Sequence, residues 1–143
     1  MKHIIFTGKE NTGKTLFAKM IFGGENTAVL EGRIFDIEND YFLFDLNEGD
    51  FAYDTLIIDD LKSDFNFESL YTRIFQSTMC TNRMNRSPEI IKTPLFIFIT
   101  NYPENLPVLN SFKNSFDVID FDKDPVSNLM DLIREKKITV KTW

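Results

Sequence analysis

The segment from Gly8 to Thr15, which reads GKENTGKT, constrains the fold of this chain more than any other feature. The segment contains two glycines, Gly8 and Gly13, and a lysine and a threonine directly follow the second one. Residues 2–7 are apolar and rich in β-branched and aromatic side chains, which predicts a buried strand. Residues 15–22 predict a helix, which two further glycines end. A strand, a glycine loop and a helix in this order are typical of a phosphate-binding loop.

The residues of this loop have separate roles in holding a phosphate chain. The glycines let the backbone curl so that successive N–H groups point at phosphate oxygens, and the helix N-terminus adds partial positive charge. Lys14 brings a full positive charge toward the β- and γ-phosphates, and the Thr15 hydroxyl is a ligand for Mg²⁺. We therefore predict a nucleotide site whose binding residues are Gly8, Lys9, Glu10, Asn11, Thr12, Gly13, Lys14 and Thr15.

The size and composition of the chain predict one compact domain, residues 1–143, with a substantial hydrophobic core. Its one cysteine, Cys80, cannot form an internal disulfide, which favours a reducing compartment. No apolar run reaches the roughly 18 residues that a membrane helix needs, and the N-terminal residues lack the long apolar segment of a signal peptide. We expect a cytoplasmic protein without a membrane partner.

Charge is distributed unevenly along the chain. The net charge of −6 argues against a monomer that coats nucleic acid by bulk electrostatics. Residues 34–68 are rich in Asp and Glu, whereas residues 73–92 carry three arginines and one lysine against a single glutamate. The sequence thus predicts a local basic face on an acidic protein.

Strands and helices are predicted to alternate after the loop. Apolar runs predict strands at 27–31, 55–60, 94–101, 116–121 and 138–140. Helices are predicted at 66–80, 107–115 and 125–135. Two extended pieces, 81–84 and 89–92, are predicted to form a hairpin across 85–88. Because strands without alternation are buried on both faces, the predicted fold class is α/β, a three-layer domain with a mostly parallel central sheet.

Polar side chains end two of these buried strands. Asp59 and Asp60 end the strand at 55–60, at the sheet edge where open α/β folds place their ligands. We assign Asp59 to Mg²⁺, directly or through water, and Asp60 to the activation of the attacking water. Asn101 ends the strand at 94–101 and is predicted to sense both the γ-phosphate and that water through neutral hydrogen bonds. Lys14, Asp60 and Asn101 are the candidate catalytic residues.

The order of these motifs resembles the superfamily 3 helicases. GKENTGKT is followed by LIIDD, then by basic residues that lead into IKTPLFIFITN, and the likeness covers roughly residues 2–121. These proteins are AAA+-like ATPases that include the motor domains of small viral and plasmid replication proteins, especially of the circovirus type. The resemblance implies a P-loop NTPase core without a separate lid domain, a sheet order of the AAA+ kind, and ATP as the nucleotide.

The resemblance also implies partners. In that family the segment between the Asp-Asp strand and the Asn strand carries a hairpin that touches single-stranded nucleic acid in the channel of a ring. Carried over to this chain, the hairpin spans residues 81–92, and its candidate contacts with DNA or RNA backbones are Arg83, Arg86 and Lys92. We accordingly expect the chain to assemble into a homo-oligomeric ring or to work with partner proteins.

The chain departs from a replicative helicase in three respects. Because residues 1–143 begin at the first predicted strand, we expect neither an origin-binding or nuclease domain nor a helical oligomerisation collar within them. The chain's surface is acidic and its length short for a self-sufficient DNA motor. Near 111–116, where the family often has an arginine that reaches the neighbouring subunit's nucleotide, the chain has Lys113, which lacks the planar fork of arginine.

Two other functions fit parts of the sequence. One is a nucleotide-gated interaction module whose turnover is negligible because the arginine supplied in trans is absent. The other is a small-molecule P-loop kinase, although residues 102–143 offer only Arg134 for the arginine-rich lid that such kinases need.

Overall fold

The structure is a computed structural model that describes residues 3–24, 26–33, 54–65, 67, 74–81, 89–102, 104, 106 and 115–123. In chain order its elements are β1 (His3–Thr7), α1 (Lys14–Phe22), β2 (Thr27–Glu31), β3 (Thr55–Asp59), β4 (Thr78–Thr81), β5 (Glu89–Lys92), β6 (Leu95–Thr100) and β7 (Phe116–Asp120).

Five of these strands form one sheet in the order β2-β3-β6-β1-β7, and every neighbouring pair is parallel. The prediction of an α/β fold with a mostly parallel sheet is therefore confirmed. Because the strands are parallel, their carboxyl ends meet at one edge of the sheet. At that edge β6 separates β1, which leads into the glycine loop, from β3, which leads into the aspartate pair.

The sheet is buried on both faces, which explains the continuous apolar runs in the sequence. Along β1 the side chains alternate between two hydrophobic clusters: Ile5 belongs to one, and Ile4 and Phe6 belong to the other. Helix α1 covers the second cluster through Ala18 and Phe22. Each buried isoleucine or phenylalanine side chain contributes about 1.5–3 kcal/mol relative to an exposed one, so these two clusters hold the sheet edge in place.

His3 is a polar side chain within this core. Its Nδ1 accepts a hydrogen bond from the backbone N–H of Phe96 at 2.9 Å. Its Nε2 lies 2.6 Å from the carbonyl oxygen of Ile74. Since a backbone N–H can only donate, Nδ1 carries no proton and Nε2 donates to Ile74. Burial, the main cause, lowers the pKa of His3 to about 4, so the ring is neutral at pH 7.

The prediction of a helix over 66–80 is wrong at its C-terminal end. Residues 78–81 form β4, which pairs antiparallel with β5, and residues 74–77 are bends. Ile74 is buried and Phe75 packs against the same core, so these apolar side chains of the predicted helix are accommodated by a bend that precedes a strand. Pairing with residues 89–92 overrides the local pattern. The predicted antiparallel pairing is present, but its first strand begins three residues earlier than expected, and residues 82–88 lie outside the described residues.

Several predicted segments lie outside the described residues. They are the turn at 85–88, the helix at 125–135, the strand at 138–140 and, apart from its last residue, the helix at 107–115. The remaining strands agree with prediction to within one residue at each end, and α1 begins one residue earlier than expected. Within the described ranges, no helix has the length and apolar character needed to span a membrane.

Candidate functional site

The glycine loop joins β1 to α1 and contains three residues with positive φ. Gly8 has φ 141°, Gly13 has φ 86° and Asn11 has φ 61°. A Cβ on Gly8 would lie 3.2 Å from the Cβ of Phe121 and 3.3 Å from the nitrogen of Asp122. Glycine is therefore favoured at position 8 for two reasons: the backbone conformation is one that other residues rarely adopt, and the end of β7 leaves little room for a side chain. Gly13 caps α1 in the left-handed conformation, with nothing within 4 Å of a Cβ placed there.

Lys14 is buried at the start of α1 and turns back onto the loop. Its Nζ donates to the carbonyl oxygens of Gly8 at 2.9 Å and Lys9 at 2.6 Å, and to the Thr12 hydroxyl at 3.2 Å. Burial lowers the pKa of Lys14, while the nearby carboxylates of Asp122, Glu10 and Asp59 raise it. The loop thus surrounds an ammonium group with three oxygen acceptors, in a cleft that also contains acidic side chains.

Thr15 and Asp59 meet across the cleft. The Thr15 hydroxyl donates to Asp59 Oδ1 at 2.8 Å, which links the first turn of α1 to the end of β3. A hydroxyl and a carboxylate are hard oxygen donors of the type that Mg²⁺ takes in nucleotide sites. The two residues predicted to hold the metal are therefore brought together, and their chemistry fits it. No group of three or more His, Cys, Asp or Glu side chains that could hold a metal occurs in the described part of the chain.

Asp60 follows β3 in a left-handed conformation, with φ 61°, and forms an ion pair with Arg33. The Arg33 Nε donates to Asp60 Oδ2 at 2.8 Å. The side chain of Arg33 is 71% exposed and that of Asp60 is 36% exposed. Our sequence reasoning missed Arg33, because nothing in the residues around it pointed to the end of β3.

Gly32 explains how Arg33 reaches the aspartates. The Gly32 N–H donates to the carbonyl oxygen of Asp59 at 2.6 Å. A Cβ on Gly32 would lie 2.5 Å from that oxygen, closer than real Cβ atoms approach. Glycine is therefore required for the end of β2 to lie against the end of β3, and this contact places Arg33 beside Asp60.

Asn101 follows β6 and lies in the same cleft as the aspartates. The cleft has a volume of about 430 Å³. It is lined by Glu10, Asn11, Thr12, Gly13, Lys14, Thr15, Leu16, Arg33, Asp59, Asp60, Ile99 and Asn101. The three candidate catalytic residues and the two candidate metal ligands thus line one space, at the sheet edge where sequence reasoning expected them. Gly8 and Lys9 support the loop from outside this lining.

Asp122 is a second residue that our sequence reasoning did not single out. Its carboxylate accepts the backbone N–H of Lys9 at 3.0 and 3.2 Å, and among the carboxylates that raise the pKa of Lys14 it has the largest effect. The Phe121 N–H donates to the carbonyl oxygen of Thr7 at 2.8 Å, which anchors the turn after β7 to the start of the loop. The sequence does place acidic residues directly after the apolar run at 116–121. No known motif spacing links them to Lys9, however, so their contact with the loop could not be predicted.

The basic residues predicted to contact nucleic acid are placed only in part. Arg83 and Arg86 lie outside the described residues. Lys92 is exposed at the end of β5, where its Cα pairs with that of Thr78. Lys92 is not among the residues that line the cleft, so it belongs to a separate surface.

Comparison with known proteins shows what the fold resembles. No protein-family model matches this sequence, and no curated protein matches it. Among solved structures, the apo form of the NrS-1 C-terminal region aligns with 94% of this chain at 22% identity and a TM-score of 0.57. JCV helicase with a bound acetamide compound aligns with 96% of this chain at 17% identity and a TM-score of 0.54.

These similarities concern the fold. The chain spans 34% of the NrS-1 structure and 41% of the JCV helicase structure, so it corresponds to a part of each. The parallel sheet, the glycine loop between β1 and α1 and the structural neighbours together show that the chain has an α/β, P-loop NTPase fold.

Proposed function

We propose that this chain is a Mg²⁺-dependent, ATP-binding and ATP-hydrolysing domain of the superfamily 3 helicase-like kind, which oligomerises and acts on nucleic acid. One observation carries the proposal: Lys14, Thr15, Asp59, Asp60 and Asn101, which come from three separate stretches of sequence, line one cleft at the carboxyl edge of the sheet. The P-loop NTPase fold supports it.

The loop binds the phosphates in this proposal. Lys14 exchanges its contacts with the loop carbonyls for the β- and γ-phosphate oxygens, which are stronger acceptors because they are charged. The loop N–H groups and the N-terminus of α1 supply further donors. Thr15 and Asp59 hold Mg²⁺, which when bound supplies positive charge to the phosphate oxygens.

Asp60 and Asn101 act on the attacking water. Asp60 accepts a hydrogen bond from the water and orients it toward the γ-phosphate, and Asn101 donates to the phosphate while it contacts the same water. The left-handed conformation of Asp60 supports this role, because a backbone held outside its favoured region is a feature of functional sites.

The nucleic-acid role is assigned to the hairpin of β4 and β5, with Arg83, Arg86 and Lys92 as contacts to backbone phosphates. Cations of this kind give affinity without sequence reading, and their binding weakens as salt rises. Ring assembly, the ATP preference and the relation to circovirus-type or plasmid-type motor domains are parts of the same proposal.

One observation favours a second function, the nucleotide-gated interaction module with negligible turnover. The carboxylate proposed to orient water accepts a hydrogen bond from Arg33 at 2.8 Å, so its Oδ2 is already engaged. If the pair persists when nucleotide binds, the domain binds ATP and does not hydrolyse it.

The test is steady-state ATP hydrolysis with and without single-stranded DNA or RNA, combined with nucleotide binding. The proposal predicts turnover that nucleic acid stimulates. It also predicts that Asp60→Asn keeps nucleotide binding and loses turnover by at least about a hundredfold, the scale of general acid–base catalysis. Binding with flat, near-zero turnover in the parent chain would favour the interaction module.

A further inference from the structure

We propose that Arg33 is the cation that contacts the terminal phosphate of the bound triphosphate from within the same chain, and that Asp60 stores it when the cleft holds no nucleotide. The inference rests on the proposed function. It adds a residue that neither the motifs nor the comparisons assign, and it supplies a positive charge in cis where the chain lacks an evident arginine near residue 113.

The backbone fixes Arg33 at the mouth of the cleft. The Gly32 N–H is bonded to the Asp59 carbonyl oxygen at 2.6 Å, and Gly32 has no side chain to hold the strands apart. Arg33 comes next in the chain, lines the cleft, and places its Nε 2.8 Å from Asp60 Oδ2. Because Arg33 lines the same cleft as the loop and Asn101, the proposal turns its side chain from Asp60 toward the space between them by a change of rotamer.

The charge balance of the cleft calls for this cation. Its lining includes three acidic side chains, Glu10, Asp59 and Asp60, and two basic ones, Lys14 and Arg33. A triphosphate adds several negative charges to that surplus of acid. Lys14 is shared between the β- and γ-phosphates in the proposed function, so within this lining Arg33 is the remaining basic side chain that can add positive charge at the terminal phosphate.

The Arg33–Asp60 pair is suited to exchange. It is exposed, with 71% of the arginine side chain open to solvent, and exposed ion pairs contribute little to stability. Within the described residues, the Arg33 guanidinium donates a hydrogen bond to Asp60 through Nε alone. A terminal phosphate carries more charge than one carboxylate and matches the planar fork of arginine, so it competes well for this side chain.

The exchange couples nucleotide state to the water-orienting group. When Arg33 turns to a γ-phosphate, Asp60 loses its ion pair and is free to accept a hydrogen bond from water. A diphosphate has no terminal group at that position, so Arg33 stays on Asp60. The pair therefore works as a latch that a triphosphate opens and a diphosphate leaves closed.

The experiment compares the affinity of the full chain for Mg²⁺-ADP with its affinity for a Mg²⁺-bound non-hydrolysable ATP analogue, by titration calorimetry. Arg33→Ala, Arg33→Lys and Asp60→Asn are measured beside Lys19→Ala, a matched loss of one exposed positive charge on α1 away from the cleft. Circular dichroism checks that each variant is folded, which the exposure of Arg33 favours.

We expect Arg33→Ala to reduce the preference for the analogue over ADP by tenfold or more, Arg33→Lys to reduce it less, and Lys19→Ala to leave it unchanged. Asp60→Asn should increase the preference for the analogue over ADP, because a neutral amide competes less well than a carboxylate with the terminal phosphate for Arg33. An unchanged preference in Arg33→Ala, with the analogue still bound, would overturn this inference and leave the proposed function standing. Absence of binding by the parent chain would overturn both.

Discussion

Gly32 is the residue at which the ends of β2 and β3 come closest. A Cβ there would lie 2.5 Å from the carbonyl oxygen of Asp59 and 2.9 Å from backbone atoms of Asp60 and Leu61. Backbone atoms cannot swing aside as a long side chain can, so any larger residue must push the two strand ends apart. The aspartate pair and Arg33 would move with them.

Gly32→Ala is therefore expected to destabilise the fold by about 1–3 kcal/mol, the usual cost of overpacking. Gly13→Ala is an informative comparison, because its Cβ meets no atom within 4 Å and its cost of about 1–2 kcal/mol comes from φ of 86° alone. Urea unfolding of both variants measures the two effects. A Gly32→Ala protein as stable as the parent would contradict the close approach.

At the scale of elements, β6 has the central position. It lies between β1 and β3, and it carries Phe96 and Phe98 into the same hydrophobic cluster. Phe98 contacts the rings of Phe65, Phe67 and Phe116, with centroids between 5.2 and 6.1 Å apart. This packing joins the segment after β3 to β7 and fixes the strand that Asn101 follows.

Phe98→Ala should lower the free energy of unfolding by about 3–5 kcal/mol, because it leaves a cavity in a fully buried aromatic cluster. Val118→Ala on β7 serves as the control. Its side chain is 43% exposed, so we expect a loss below about 1 kcal/mol. Equal losses in the two variants, measured by chemical denaturation, would show that β6 is not buried as described.

Elements also show where sequence reasoning succeeds and where it fails. The strands of the main sheet were predictable because burial on both faces makes each of them a continuous apolar run. Strand β4 was not, because Ile74 follows Phe67 and Leu70 at helical spacing and only pairing with residues 89–92 decides between a helix and a strand. Arg33 and Asp122 were missed for a related reason. Their partners, Asp60 and Lys9, lie far away in sequence and become neighbours only through the strand order.

For the molecule as a whole, the chain's one histidine makes stability depend on pH. Burial lowers the pKa of His3 from 6.5 to about 4, so between these values the unfolded chain binds a proton that the folded chain does not. The contribution of His3 to the free energy of unfolding is complete above its pKa in the unfolded chain, 6.5, and is lost as the pH falls toward about 4. The loss amounts to about 3 kcal/mol.

The measurement is the free energy of unfolding at several pH values for the parent and for His3→Gln. Carboxylates titrate in the same range, so the quantity to compare is the difference between the two proteins. That difference should shrink by about 3 kcal/mol from pH 7 to pH 4. A difference that stays constant with pH would mean that His3 is not held neutral between Phe96 and Ile74.

The central claim is that the loop around Lys14 binds the phosphates of a nucleotide. Titration calorimetry of the full chain with a non-hydrolysable ATP analogue and Mg²⁺ tests it most directly, with Lys14→Ala and Lys19→Ala measured in parallel. We predict binding by the parent and by Lys19→Ala, and at least about a hundredfold weaker binding by Lys14→Ala, because several charge-assisted hydrogen bonds are lost. No heat of binding with the parent, or binding by Lys14→Ala at the parent's affinity, would contradict the account.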